Sequence, residues 1–129
     1  GLHLRLLAGD AYGAQAPVPV HSPMFYAHAT LDAGVVLPLP DTHAERAIYL
    51  VAGSLEVDGA VHGAGRMLVF ESGRGASVRA LAPCTLLVLG GAPVGPRYID
   101  WNFVSSSQDR IEQAKADWRA GRMKLPDLD

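Results

Sequence analysis

A chain of 129 residues, 49% hydrophobic and 19% charged, is long enough to bury a core and too apolar for disorder. A formal net charge of −2 gives no basic footprint for nucleic acid or an anionic membrane surface. The single cysteine, Cys84, rules out an internal disulfide, and no Cys/His cluster suggests structural zinc. By size the chain is one domain. No stretch is long enough to span a membrane and no signal peptide is visible, so a reducing, cytoplasmic home is expected. The chain starts Gly1-Leu2-His3 without methionine, which reads as a processed chain or an excised fragment.

His3 to Leu7 alternates weakly and predicts an opening strand. Gly9 to Gly13 and the proline-rich Pro17 to Pro23 follow as an extended surface connection, because proline cannot donate to a ladder. Met24 to Leu31 is a strand bounded by Asp32-Ala33-Gly34. Pro38 and Pro40 mark an irregular approach to the strand Arg46 to Val51. Leu55 to Val57 and Ala60 to His62 flank Asp58-Gly59, a pair suited to a two-residue turn with positive φ at both central positions, so a hairpin is predicted.

Arg66 to Phe70, Ala76 to Leu81 and Cys84 to Leu89 complete a set of short strands separated by turns, which says sandwich or barrel. Several of these strands, Ala47 to Val51 above all, are apolar on both alternating faces. A strand with one wet face alternates, so something covers the outside: the chain's own helix, a second domain or another subunit. Cys84 opens an apolar run and reads as a buried, inert thiol.

The tail changes character. Gly90 to Pro96 is a linker-like turn region, and Tyr98 to Val104 reads as an aromatic edge strand. Ser105, Ser106 and Ser107 supply an N-cap for a helix over Gln108 to Ala120 that stops at Gly121. Ile111, Ala114 and Trp118 share one face, with Glu112 and Lys115 on the wet side. The helix is expected to pack on the barrel; a partner-binding helix is the second reading. The division expected is 1–104 for the barrel, with 105–129 as helix and tail on the same domain. Trp101 and Phe103 read as core residues before the helix rather than as the lining of a groove.

The stretch Asp41 to Gly53 resembles the first motif of the cupins, Gly-x5-His-x-His-x3–4-Glu-x6-Gly, which carries metal ligands in that superfamily. Counted back from Gly53, the glutamate slot falls on Arg46, or on Glu45 with one extra residue, and the histidine slots fall near Pro40 to Thr42. His43 is one place out. Gly65 and Gly73 fit the spacing of the second motif, but Glu71, Ala76 and Ala80 take its proline, histidine and asparagine slots. Alanine has no lone pair to give a metal.

More of the chain resembles one cupin family, the pirins. The segments are Ser22-Pro-Met-Phe-Tyr-Ala-His-Ala, His43 to Gly53, Leu68-Val-Phe-Glu-Ser-Gly, Leu87 to Pro93, Trp101-Asn-Phe-Val-Ser-Ser-Ser and Arg110 to Arg122. What they resemble is the second, C-terminal cupin of that two-cupin family. The resemblance implies an all-β fold: a single cupin (RmlC-like) β-barrel or jelly roll with one C-terminal α-helix. Pirin-like proteins carry iron in the first cupin, through three histidines and a glutamate that have no counterpart here. The family is associated with quercetin 2,3-dioxygenase-type oxidation and, in animals, with transcriptional co-regulation through protein contacts.

Two classes of function follow. The first is a non-catalytic, metal-free module with no cofactor, which completes a two-barrel fold and offers interaction surface to a companion cupin domain, to a second copy as a homodimer, or to another protein. No catalytic residue and no metal ligand is assigned under it, and no contact with nucleic acid or membrane is expected. The alternative is an iron-dependent, quercetin 2,3-dioxygenase-like oxygenase with a site rebuilt from His28, His43 and Glu45, since i and i+2 on a strand share a side. Against it stands a solvated or hydrogen-bonded pair at a strand entrance, with Glu45 or Arg46 in an ion pair. A metal-free small-molecule binder using the barrel interior is a third reading. His3, His21 and His62 are expected at the surface. Ser105 to Ser107 serve as caps rather than nucleophiles, and Gly73-Arg74-Gly75 is a turn rather than a phosphate cradle.

Overall fold

The computed structural model describes residues 1–123, so residues 124–129 of the expected tail lie outside the described residues. The strands are β1 (Leu2–Ala11), β2 (Ala14–Gln15), β3 (Met24–Leu31), β4 (Val36–Pro38), β5 (Glu45–Ala52), β6 (Ser54–Val57), β7 (Ala60–Gly63), β8 (Arg66–Phe70), β9 (Ser77–Ala80), β10 (Cys84–Gly91), β11 (Tyr98–Asp100) and β12 (Phe103–Ser105); the helix α1 is Gln108–Arg119. A six-stranded antiparallel sheet runs β2-β1-β3-β10-β5-β8, and a four-stranded one runs β4-β9-β6-β7. One apolar cluster draws on both sheets: Phe25, Ile48, Leu50, Leu86 and Val88 from the first, Leu37, Leu55 and Val78 from the second.

Cross-strand register explains the doubly apolar strands. Ala27, Val88, Ile48 and Leu68 make one inward row, and Ala29, Leu86 and Leu50 make the next. The small residues lie on β3 and the large ones on β10 and β5, so the rows interlock. The outward rows are also apolar. Tyr26, Leu89, Ala47 and Val69 form one, and His28, Leu87, Tyr49 and Met67 the other. Val69 is 77% exposed and Met67 55%.

The predicted strands are present with small shifts at their ends, except that β1 runs past Leu7 to Ala11, into the stretch read as a surface connection. The Asp58-Gly59 turn has φ of 48° and 79°, as its composition requires. Tyr12-Gly13 closes β1 on β2 in the same way, with φ of 53° and 73°. Two expectations change. The approach to β5 contains a strand, β4, which the prolines concealed; Pro38 lies opposite Ser77 at its end. The aromatic stretch from Tyr98 is a local hairpin, β11 on β12, rather than an edge strand of a larger sheet.

The chain contacts gather into two compact units that divide between Pro93 and Val94, ahead of the aromatic hairpin rather than behind it at 104. Pro93, Gly95 and Pro96 interrupt pairing there, and the hairpin packs with α1. The helix ends as predicted, with Gly121 at φ 66°. Its start differs: Ser107 holds the cap position without a side-chain bond, and its N–H donates to Ser105 Oγ at 3.1 Å.

The turn from β5 to β6 is pinned from behind. A Cβ on Gly53 (φ 91°) would collide with Pro83 O and stand 2.8 Å from Cys84 Sγ, whereas one on Gly59 (φ 79°) would meet open space. Gly59→Ala is therefore expected to cost about 1–2 kcal/mol, from the left-handed backbone alone. Gly53→Ala should cost more, about 2–5 kcal/mol, because overpacking is added. Urea denaturation of the two variants checks this, and equal losses would show that β10 does not constrain the turn.

Candidate functional site

Of the expected ligand slots, Arg46 and Ala80 are buried and Ala76 packs against the core, whereas Asp41, Thr42 and Glu71 are exposed. β5 alternates so that Arg46 shares the inward face with Ile48 and Leu50, and Arg46 is only 3% exposed. Its guanidinium donates to three backbone carbonyls: Nη1 to Pro40 at 3.4 Å, and Nη2 to Glu71 at 2.8 Å and Arg74 at 2.5 Å. No carboxylate of the described residues pairs with it, and its Nε has no partner. Arg46 thus ties the segment before β5 and the turn after β8 to the strand between them. This corrects the expected ion pair at the strand entrance. The buried charge is met by carbonyl dipoles instead.

Beside it, His43 is 9% exposed and stacks on Phe25, with ring centroids 5.4 Å apart and planes inclined by 28°. Its Nε2 makes a long contact, 3.5 Å, to Asp10 O. Of the two expected states, solvated or hydrogen-bonded, the histidine takes neither fully: it is packed, with one long polar contact. Phe25 can lie there because Gly90, its neighbour in register, has no side chain; a Cβ on Gly90 would stand 2.5 Å from Phe25 Cε1.

His28 and Glu45 are elsewhere. His28 belongs to an outward row, opposite Arg5 and Leu87. Glu45 is exposed at the start of β5 opposite Gly91, which lies opposite Met24. Residues 24 and 28 are separated by roughly 13 Å along β3 at the usual strand rise. His28 and His43 thus lie on opposite sides of the sheet, and no three His, Cys, Asp or Glu side chains among the described residues could share a metal ion. Ala80 is fully buried and Ala76 packs against the core, so two slots of the second motif present methyl groups inward. A divalent cation, as the superfamily would imply, does not fit this donor set: a fixed guanidinium occupies the glutamate slot, and like charge repels it.

The remaining candidates are quickly placed. His3 and His21 are exposed, while His62 is half-buried opposite Leu55 rather than at the surface. Cys84 is buried, and its thiol donates to Ser54 O at 3.1 Å and Ala82 O at 3.0 Å. Tyr12 donates its hydroxyl to Pro38 O at 3.0 Å, and desolvation pushes its pKa up to about 12.

The C-terminal unit holds an open cleft of about 320 Å³ between the β11–β12 turn and α1. Asp100, Trp101, Phe103, Lys115, Trp118 and Arg119 line it. Lys115 Nζ lies 3.0 Å from Asp100 Oδ2 and 3.2 Å from Glu112 Oε1, and the hydrogen bond to Asp100, then that to Glu112, raises its pKa. On the helix, the bond from Arg122, then that from Gln113, lowers the pKa of Asp117. Ile111 is buried, but Trp118, expected on the same packed face, is 56% exposed. Trp101, read as core, is 91% exposed.

Two antiparallel sheets around an apolar interior, with vestiges of both ligand motifs, place the chain among the cupins. The family model described as the pirin C-terminal cupin domain matches residues 26–124, and the chain belongs to that family. It is 58% identical over its whole length to a pirin-like protein of Caulobacter vibrioides, of which it spans 45%. It superposes with a TM-score of 0.82 on a crystal structure of quercetin 2,3-dioxygenase from Acinetobacter baumannii, at 24% identity, covering 95% of this chain and 44% of that one. A bacterial pirin from Escherichia coli, solved in complex with nickel(II), superposes with a TM-score of 0.59 at 18% identity, over 71% of this chain and 40% of that one. At such identities the two structures speak for the fold alone. The chain spans less than half the length of each of these relatives.

Arg46→Met should lower stability by about 1–3 kcal/mol, since three carbonyls lose a charged donor while a buried charge is relieved. A stabilised variant would show that desolvation of the guanidinium outweighs its bonds. Tyr12 ionises less readily folded (about 12) than unfolded (10.0), so its contribution is whole below pH 10 and is lost as pH rises from 10 towards 12. Thermal unfolding of Tyr12→Phe should show a shallower alkaline decline than the parent over that window.

Proposed function

We propose that this chain is a non-catalytic, metal-free cupin module that completes a two-cupin assembly and presents interaction surface. The observation that carries this reading is Arg46: a buried guanidinium bonded to three carbonyls stands in the glutamate slot of the first motif. An oxygenase centre needs several His or carboxylate ligands that converge and leave positions open for oxygen and substrate. His28, His43 and Glu45 are spread over both sides of the sheet. The oxygenase alternative is therefore disfavoured for this chain. Purified protein should contain well under one equivalent of iron, manganese or nickel. Stoichiometric metal that is lost on His43→Ala would overturn the proposal.

The interaction surface is the outward face of the six-stranded sheet. Val69 and Met67 are its most exposed large apolar members, backed by Tyr26, Tyr49, Leu87 and Leu89. A companion cupin covers this face in the proposed assembly, and a second copy covers it when the chain is alone, because homo-oligomers mostly close two-fold. The packing of the C-terminal unit on the barrel, a cytoplasmic setting and the lack of nucleic-acid or membrane contact belong to the same proposal. Cys84 as a free thiol supports the reducing setting. Light scattering of the chain at micromolar concentration should report a dimer, and Met67→Lys with Val69→Lys a monomer of unchanged circular dichroism. A monomeric parent would remove self-association from the reading.

A further inference from the structure

We infer that the cleft between the β11–β12 turn and α1 is a binding site for a planar aromatic carboxylate. This goes beyond the proposed role of the barrel and uses none of its residues. Its first support is Trp101. The turn Trp101-Asn102 puts an indole at φ 53°, a left-handed position that bulky side chains rarely adopt. Glycine or asparagine would form that turn with less strain. The indole gains no burial in return, being 91% exposed. Folding alone does not account for it.

The second support is the surroundings. Phe103 and Trp118 stand with Trp101 along the cleft, whose volume of about 320 Å³ is within the range of small-molecule sites, about 300–1,000 Å³. Faces of this kind favour a flat ring, which stacks on indoles. The third support is charge. Lys115 is already engaged by Asp100 and Glu112. Arg119 lines the cleft, and no described carboxylate lies within ion-pair distance of it. Among the described residues the cleft's uncommitted cation is therefore a guanidinium, whose fork suits a carboxylate.

Trp101 and Trp118 are the two tryptophans of the chain, so its indole N–H resonances both report on this cleft. Titration of the full chain with 2-naphthoate, followed by ¹H–¹⁵N correlation spectra, should shift both indole signals saturably. The uncharged isostere 2-naphthamide should bind at least tenfold more weakly. Arg119→Gln and Trp101→Ala should each weaken naphthoate at least tenfold, while His43→Ala, in the other unit, should change nothing. Both cleft side chains are exposed, so dispersion of the remaining amide signals verifies folding of the variants. The inference fails if naphthamide matches naphthoate, or if Arg119→Gln binds normally. It also fails if the indole signals ignore millimolar ligand, or if they respond to protein concentration instead, as they would with a second copy in the cleft.

Discussion

The missing side chain at Gly90 governs the end of the barrel where a cupin would hold its metal. β10 runs between β3 and β5, and Gly90 stands in register between Phe25 and Arg46. The space it leaves is taken by the Phe25 ring, which in turn supports His43. On the other flank, Arg46 extends inward to the carbonyls of Pro40, Glu71 and Arg74. Any side chain at 90 would displace the aromatic ring and, through it, the histidine. The packing of this end thus follows from register together with one residue's size.

That arrangement also substitutes one kind of cross-link for another. Metal ligands hold strand and loop together through a shared cation. Here the cation is covalently part of β5 and its partners are main-chain oxygens, which any residue type supplies. The cost is a buried charge without a counter-ion among the described residues, which is tolerable because carbonyl dipoles meet it.

Much of this was legible in the sequence. Short apolar runs bounded by turn residues located β3, β5, β8 and β10 almost to the residue, and Asp58-Gly59 announced its turn, because both signals are local. The fate of His43 was not legible. Its stacking depends on Gly90, far along the chain, and single-sequence spacing carries no such information. β4 was hidden because Pro38 argues against a strand except at an edge or an end, and an end is where it lies. Trp101 was misread for a different reason. An aromatic residue next to a helix is ordinarily buried, and only the backbone conformation shows that this one faces out. The Arg46 substitution in the glutamate slot was visible from the start, but its bonds to three carbonyls were not.

Cys84 adds a kinetic dimension. Its sulfur is enclosed behind Gly53 and donates to two main-chain oxygens, and the chain has no other thiol. An alkylating reagent reaches it when the start of β10, where Cys84 stands, opens from the β5–β6 turn. The rate of modification therefore clocks how often that end of β10 opens, at a single atom and without any added label.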